Sequence, residues 1–251
     1  MKKEKLITNM WIFTVLLIFV FTSIVINEKK YAIISPKVKE KLVTYAEENY
    51  KNIYKDFSYG KIKYNIGKEN YQLKVINKNN KHLYFYLIYN HNSKKISSTY
   101  KNDYVEGKSL LNFYKKRFEK SLNKNSRNKH YVSFNKKLNE YDTIVEEKLL
   151  EDKDISSLKI ITVKTSIRID TFDEKEITSN ITKEYNSINK KGITPRLYSF
   201  EILFDDELKS FLVENLTEEI IKNNTNEIIR AIMVNDNSIV NKYNIKFKYL
   251  N

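Results

Sequence analysis

The stretch that decides the fold is residues 157–204, SLKIITVKTSIRIDTFDEKEITSNITKEYNSINKKGITPRLYSFEILF. Its two ends, residues 157–170 and 196–204, are rich in β-branched and aromatic residues, which is typical of strands. Between them, four apolar side chains recur at the spacing of one helix face: Ile177, Ile181, Tyr185 and Ile188. This pattern predicts an amphipathic helix between two strands.

Signals at both ends of this helix support the prediction. Asp173 and Glu176 form the D-x-x-E pattern of a helix start, where carboxylates accept hydrogen bonds from backbone N–H groups that the helix leaves free. Gly192 is typical of the residue that follows the last turn. We therefore expect a helix from about Glu174 to Lys191.

The segments on either side combine the same two patterns. Residues 35–57 place apolar side chains at spacings near three and four, which predicts an amphipathic helix ending near Tyr59–Gly60. Strand-like runs separated by polar turns follow it, at 61–66, 70–76, 82–89 and 94–100. Further helices are predicted at 107–122 and 217–224, and a last strand at 244–250.

Both halves thus combine helices with strands whose polar and apolar residues alternate, as in half-buried antiparallel sheets. We predict an α+β protein in which an N-terminal transmembrane helix precedes two small α+β units, each with an antiparallel sheet packed on helices. The predicted divisions are a cytoplasmic tail and anchor at residues 1–27, a basic membrane-proximal unit at 28–140 and a mildly acidic distal unit at 141–251.

The N-terminal run MWIFTVLLIFVFTSIVI, Met10 to Ile26, contains no charged residue. Its length is at the short end of what spans a bilayer, and no pair of small residues suited to cleavage follows it closely. We expect an uncleaved, single-pass signal anchor in the cell membrane, with the following domains extracytoplasmic. The lysines from Lys29 to Lys41 favour the opposite orientation by count, but a long domain is exported largely regardless of its charge.

Basic residues are concentrated in the first half of a chain whose net charge is +14. Residues 28–140 carry 26 basic and 10 acidic side chains, and residues 141–251 carry 16 basic and 20 acidic ones. Such an excess favours anionic partners: lipid headgroups, wall polymers or nucleic acid. The chain has no cysteine, which excludes disulfides, thiolate nucleophiles and cysteine-ligated metal centres.

No residue pattern predicts a bound cofactor or a metal site. The three histidines, His82, His91 and His130, lack the spacing of metal ligands, which favours a solvated or structural role. The four glycines are isolated, so the sequence contains no phosphate-binding loop. We therefore expect no cofactor.

Two acidic groups are the remaining candidates for chemistry. Asp170 and Asp173 form the first, and Asp205 and Asp206, followed by Glu207, form the second. Neither has the pattern of a calcium-binding loop, and helix capping already accounts for Asp173. We expect no catalytic residue among them, although spacing in sequence cannot exclude a carboxylate pair.

One tract has the character of a binding surface because it is basic and aromatic: residues 112–120 and 123–131. Its candidate contacts with an anionic surface are Lys108, Lys115, Lys116, Arg117, Lys120, Lys124 and Arg127. A solvated helix face is the plain structural interpretation of the same residues. Nucleic acid would require the same charge, but an extracytoplasmic location disfavours it.

Residues 165–221 resemble the YfjL-like group of bacterial proteins. The similar features are a strand, a capped helix ending KKGITP, the strand YSFEILF, and DDELKSFLVENLTEEII. KVKEKLVTYAEENY and the stretch YFYLIYNHNSKKISSTYKNDY are similar to the membrane-proximal unit of that group. The resemblance covers most of residues 10–235 and implies a signal-anchored, uncharacterised surface protein of low-GC Gram-positive bacteria. It supplies no functional residue.

The sequence therefore predicts a membrane-anchored extracytoplasmic protein that is a non-catalytic, envelope-associated binding or interaction module. Its expected partners are the membrane, through Met10 to Ile26, and an anionic lipid or wall polymer; its protein partner is unknown. Two alternatives stay open. One is a carboxylate-dependent cell-envelope enzyme, and the other is a membrane-tethered nucleic-acid binder.

Overall fold

The computed structural model describes residues 13–18, 34–151, 154–156, 158–204 and 210–250. The chain divides into two compact units, residues 1–101 and 102–251. A four-stranded sheet lies in the first unit and a five-stranded sheet in the second. The prediction of an α+β protein with two units is confirmed at this level.

Besides the helical residues 13–18, the first unit contains the helix α1 and a sheet of antiparallel neighbours in the order β1-β2-β3-β4. These elements are α1 (34–49), β1 (Phe57–Asn65), β2 (Asn70–Asn77), β3 (Tyr84–Asn90) and β4 (Ile96–Ser98). The four predicted strands are therefore confirmed. Short turns separate them, which is why their patterns could be assigned locally.

The prediction that the first helix continues to Tyr59–Gly60 is wrong, because α1 ends at residue 49. Phe57, which extends the helical pattern in the sequence, begins β1 and pairs with Asn77. Tyr50 lies just after the helix, with its ring centroid 5.3 Å from that of Phe85 and 6.2 Å from that of Phe57. These ring contacts pack the segment after α1 against the sheet.

The core of the first unit lies between α1 and one face of the sheet. The helix contributes Val38, Leu42 and Ala46, and the strands contribute Leu73, Val75, Phe85 and Leu87, all of them buried. The Lys41 ammonium lies 4.7 Å from the Tyr89 ring, which belongs to the same sheet face as Phe85 and Leu87. The helix therefore covers this face.

The second unit has five strands in the order β5-β6-β7-β8-β9. The strands are β5 (Lys129–Phe134), β6 (Ile161–Ile169), β7 (Leu197–Phe204), β8 (Phe211–Leu216) and β9 (Lys246–Tyr249). The described helices are α2 (Lys108–Asn123), α3 (Thr143–Leu150), α4 (Glu174–Lys190), α5 (Glu218–Asn223), α6 (Thr225–Met233) and α7 (Asn237–Lys242). The predicted helices at 107–122 and 217–224 and the strand at 244–250 are confirmed.

The central helix of residues 157–204 is also confirmed. The Asp173 carboxylate accepts a hydrogen bond from the Glu176 N–H at 2.9 Å, as a helix N-cap does. The predicted apolar face of α4 is buried, and Gly192 has the left-handed φ of 72° expected after the last turn.

The prediction of an antiparallel sheet in the second unit is wrong for one pair of strands. β6 and β7 run parallel, with Val163 beside Tyr198 and Thr165 beside Phe200. Because α4 carries the chain back along the sheet, β7 starts at the same end as β6, and such a helical crossover produces a parallel pair. The other neighbouring strands in this sheet are antiparallel.

The boundary between the compact units also differs from the predicted division near Glu140. Helix α2 packs against β5, and β5 pairs with β6 through Val132 and Val163, so all three belong to the second unit.

Residues 1–101 carry 19 basic and 7 acidic side chains, whereas residues 102–251 carry 26 basic and 24 acidic ones. The excess of positive charge therefore belongs to the first unit, and the second is nearly balanced.

The predicted membrane span, Met10 to Ile26, lies largely outside the described residues. Residues 13–18 are described, and they are helical and exposed. Among the helices that the structure describes, none has both the length and the apolar character needed to cross a membrane.

Candidate functional site

Helix α2 separates an apolar face from a basic one. Its buried side chains share one face of the helix: Leu110, Leu111, Tyr114, Phe118 and Leu122. The predicted contact residues Lys108, Lys116, Arg117, Lys120, Lys124 and Arg127 are exposed, and Lys115 is half-buried. The structure therefore places all seven predicted cations outside the core of the unit.

Three of these lysines form a row along α2 and its C-cap. Lys116, Lys120 and Lys124 follow one another at intervals of four residues, which places successive side chains on one helix face about 6 Å apart. Arg117 lies beside these three lysines on α2. In the part of the chain that the structure describes, none of the three ammonium groups forms an ion pair. We call Lys116, Arg117, Lys120 and Lys124 the basic row.

The other predicted cations are arranged differently. Lys115 lies 3.9 Å from Glu119, which partly neutralises it. Lys108 is at the start of the helix, about two turns or more from the row, and Arg127 lies in the loop that leads to β5. The structure thus brings four of the seven residues together on one surface.

The loop after α2 is attached to α4 by polar contacts. The Lys191 ammonium donates to the carbonyl oxygens of Leu122, at 2.5 Å, and Lys124, at 3.3 Å. The Asn128 amide donates to a Glu184 carboxylate oxygen at 2.8 Å. These contacts fix the C-terminal end of the basic row, since Lys124 is itself held by its backbone.

A buried histidine lies beneath this loop. His130 on β5 is 1% exposed, and its Nδ1 lies 3.0 Å from Thr165 Oγ1. Its Nε2 lies 3.1 Å from Ser126 Oγ and 3.5 Å from a Glu184 carboxylate oxygen. The Asn123 side chain accepts from the His130 N–H and donates to its carbonyl. His130 therefore has a structural role, which is one of the two roles favoured by the sequence.

The arrangement around His130 does not match a catalytic triad. In a triad, the hydroxyl and the orienting carboxylate contact opposite nitrogens of the imidazole. Here Ser126 and Glu184 both lie beside Nε2, while Nδ1 faces Thr165. The cluster holds the loop and the sheet together.

Burial lowers the pKa of His130, and the nearby Lys191 acts in the same direction, against the Glu184 carboxylate. The unfolded chain therefore takes up a proton below the ordinary histidine pKa near 6.5, whereas the folded chain does so only at lower pH. Stability is complete above about pH 6.5 and is lost as the pH falls towards the folded pKa. We expect the free energy of unfolding to fall by up to about 1 kcal/mol between pH 7.5 and 5.5.

Urea denaturation of the full chain in neutral detergent at these two pH values would measure this loss. The control variant is His130→Gln, which keeps a polar side chain but removes the titrating group, while His82 and His91 remain in both proteins. An equal loss in the wild type and the variant would show that His130 is not its source.

The predicted carboxylate candidates do not form a described cluster. Asp173 caps α4 and Asp170 is exposed, while Asp205, Asp206 and Glu207 lie outside the described residues. The described residues contain no group of three or more acidic or histidine side chains that could hold a metal ion.

A cleft of about 410 Å³ with both polar and apolar walls lies beside the basic row. Arg117, Ser121, Asp154 and Lys191 line it. Hydrogen bonding from Ser156 lowers the pKa of Asp154, and the Arg117 guanidinium acts in the same direction. Arg117 thus has a carboxylate in its vicinity, and the three lysines are the more available charges of the row.

The structure and the comparisons with known proteins define this chain only as an α+β protein with a basic helix face. No family model, no curated protein and no solved structure matches it. Any functional proposal therefore depends on the surfaces described above.

Proposed function

We propose that this chain is a single-pass, membrane-anchored extracytoplasmic protein that binds an anionic surface of the cell envelope without catalysing a reaction. The basic row of α2 is the proposed contact. The observation that carries the proposal is the exposure of Lys116, Lys120 and Lys124 on one helix face without carboxylate partners in the described residues. The uncharged run Met10 to Ile26 and the resemblance to YfjL-like proteins support the anchored location.

The geometry of the row suits a surface better than a small ligand. A rigid helix presents the three ammonium groups in a line, so all three can approach one plane of negative charge together. A basic residue near an anionic bilayer contributes about 1 kcal/mol, and the contribution declines within a Debye length. Phosphate groups provide the required charge, whether they belong to lipid headgroups or to a phosphate-containing wall polymer.

We expect reversal of the row, Lys116→Glu with Lys120→Glu and Lys124→Glu, to abolish contact with an anionic surface. Because the chain lacks cysteine, a single Ser121→Cys substitution on exposed α2 can carry an environment-sensitive fluorophore. The labelled full chain would be reconstituted in nanodiscs of neutral lipid or of phosphatidylglycerol. A spectral change specific to anionic nanodiscs, and lost at high salt, is expected with the native row and absent after reversal.

A separate arm distinguishes the two sources of phosphate. Poly(glycerol phosphate) added to the protein in neutral nanodiscs would give the same change if a wall polymer is the partner. The matched control reverses three exposed lysines of α4: Lys175→Glu, Lys183→Glu and Lys190→Glu. A response in neither arm, or an equal effect of the α4 reversal, would overturn the proposed contact.

The same approach tests the location. Ser179 is exposed on α4, so a Ser179→Cys variant would react with a membrane-impermeant maleimide on intact cells if the domains are extracytoplasmic. Labelling that occurs only after the cells are lysed would show the opposite orientation, and it would make the alternative of a membrane-tethered nucleic-acid binder the better one.

A further inference from the structure

The sheet of the first unit has a second face that α1 does not cover. Successive side chains of a strand point to opposite faces, so the neighbours of the buried residues belong to this second face. The strand register aligns Lys63 with Gln72 and Ile88, and Lys74 with Tyr86. Among the residues on it are Lys63, Gln72, Lys74, Tyr84, Tyr86 and Ile88, all exposed or half-buried. We call this the outer sheet face.

The outer sheet face is positively charged because it contains no acidic residue. None of the four strands of this sheet includes an Asp or a Glu. Burial lowers the pKa of Lys74, and repulsion from Lys63 acts in the same direction. Neither lysine forms an ion pair in the part of the chain that the structure describes. The register places the two lysines at diagonal positions of neighbouring strands, with no carboxylate of the described residues at ion-pair distance from either.

The lysine and tyrosine side chains of this face are also ordered by one another. The Lys74 ammonium lies 3.6 Å from the centroid of the Tyr84 ring, within the range of a cation–π contact. The Tyr84 and Tyr86 rings meet edge to face, with centroids 5.7 Å apart. A ligand that binds here would find these groups already positioned, which reduces the entropy lost on binding.

The polar face of the second sheet shows that this charge pattern is not a general property of the chain. There, the Lys164 ammonium lies 2.8 Å from a Glu201 carboxylate oxygen, and Ser166 donates to the same carboxylate. In the register, Glu214 is aligned with Lys246. Two carboxylates, Glu201 and Glu214, therefore lie among the lysines of that face, whereas the strands that form the outer sheet face of the first unit contain none.

The chemistry of the outer sheet face favours one class of occupant. Lys63 and Lys74 match acidic groups, while Gln72 and the tyrosine hydroxyls can hydrogen-bond to a ligand rich in hydroxyl groups. Single-stranded nucleic acid is held by a positively charged groove together with bases stacked on open aromatic rings. The Lys74 ammonium occupies one side of the Tyr84 ring, so this ring has at most one side for stacking.

We propose that the outer sheet face binds an anionic polysaccharide, with Lys63 and Lys74 contacting its acidic groups and Gln72, Tyr84 and Tyr86 contacting its sugar rings and hydroxyl groups. This surface lies on the first unit, so the inference is independent of the basic row and extends beyond the proposed function. The first unit also carries nearly all of the net positive charge of the chain, which favours approach of a polyanion.

The experiment measures binding of the full chain, in neutral detergent micelles, to fluorescein-labelled oligogalacturonate by fluorescence anisotropy. We expect saturable binding that weakens with salt. The double variant Lys63→Gln with Lys74→Gln should lower the affinity about tenfold or more, and Tyr84→Leu with Tyr86→Leu should lower it while leaving the salt dependence unchanged.

The matched control removes two exposed lysines from the second sheet, Lys246→Gln with Lys248→Gln, and should leave the affinity within about twofold. Reversal of the basic row on α2 should likewise leave polysaccharide binding intact, which separates this test from that of the proposed function. Unlabelled dextran should not compete with the labelled oligogalacturonate.

Three results would overturn the proposal: equal or tighter binding of oligothymidylate, loss of binding only in the α2 variant, or no saturable binding. Far-UV circular dichroism would confirm that each variant is folded.

Discussion

Replacing Gly107 with alanine is expected to lower the free energy of unfolding by about 2–5 kcal/mol, through backbone strain and overpacking together. Gly107 immediately precedes α2 and has a left-handed φ of 67°. A Cβ atom at this position would lie 2.3 Å from Leu138 Cβ and 2.8 Å from Leu138 Cδ2. Urea denaturation of the full chain, followed by far-UV circular dichroism in neutral detergent, would measure the loss.

Gly192 provides a matched control for the strain alone. Its φ is 72°, but an added Cβ would meet no atom within 4 Å. Gly192→Ala should therefore cost only about 1–2 kcal/mol, the price of a left-handed alanine. If the two substitutions cost the same, the close contact between Gly107 and Leu138 would not exist as described.

The consequence of the Gly107 substitution extends to the basic row. The Leu138 N–H donates to the Glu106 carbonyl at 2.9 Å, and the Lys137 ammonium lies 2.9 Å from the Glu106 carboxylate. These contacts hold the start of α2 against the turn at Leu138–Glu140. A side chain at position 107 would separate the two, and the helix that carries the row would shift with them.

The first sheet could be predicted because its pairings are local. β1, β2 and β3 follow one another along the chain and also lie side by side, so each strand and its turn can be recognised within a short window. The end of α1 could not be predicted in the same way. Phe57 continues the helical spacing, but its burial against Phe85, at 5.4 Å between ring centroids, requires it to be in the sheet.

The arrangement of the second sheet depends on contacts between distant residues. Pairing of Thr165 with both His130 and Phe200 brings together three segments far apart in sequence. The sequence does not predict strand β5, because this strand begins within the polar tract after α2. The predicted division near Glu140 therefore lies after α2, whereas the compact units divide before it. Composition within a window cannot show which strand a helix packs on.

The candidate site could likewise be predicted only where it depends on local sequence. The exposure of the basic row follows from helical periodicity, since five apolar side chains of α2 form a stripe on another face of the helix. The cluster around His130 could not be predicted from this periodicity, because the partners of His130 lie on other elements: Thr165 on β6 and Glu184 on α4. The outer sheet face needed the strand register as well, which aligns Lys63, Gln72 and Ile88 across three strands.

Replacing Phe200 with alanine is expected to cost about 3–5 kcal/mol, the range for truncating a large side chain in a packed core. Phe200 is 0% exposed and lies on β7, the central strand of the second sheet, between Thr165 on β6 and Val213 on β8. The loss should appear as a lower urea midpoint in the full chain, measured by far-UV circular dichroism.

The size of this effect follows from the position of β7 between its two neighbours. When a side chain at the edge of a sheet is truncated, water or a mobile neighbour can fill the space that it leaves. The strands on both sides of β7 restrict such relaxation. Ile144 on α3 is the control, since it is 67% exposed, and its replacement by alanine should change stability by less than about 0.5 kcal/mol. Similar costs at the two positions would contradict the burial of Phe200, and with it the parallel pairing of β6 and β7 that places this ring in the core.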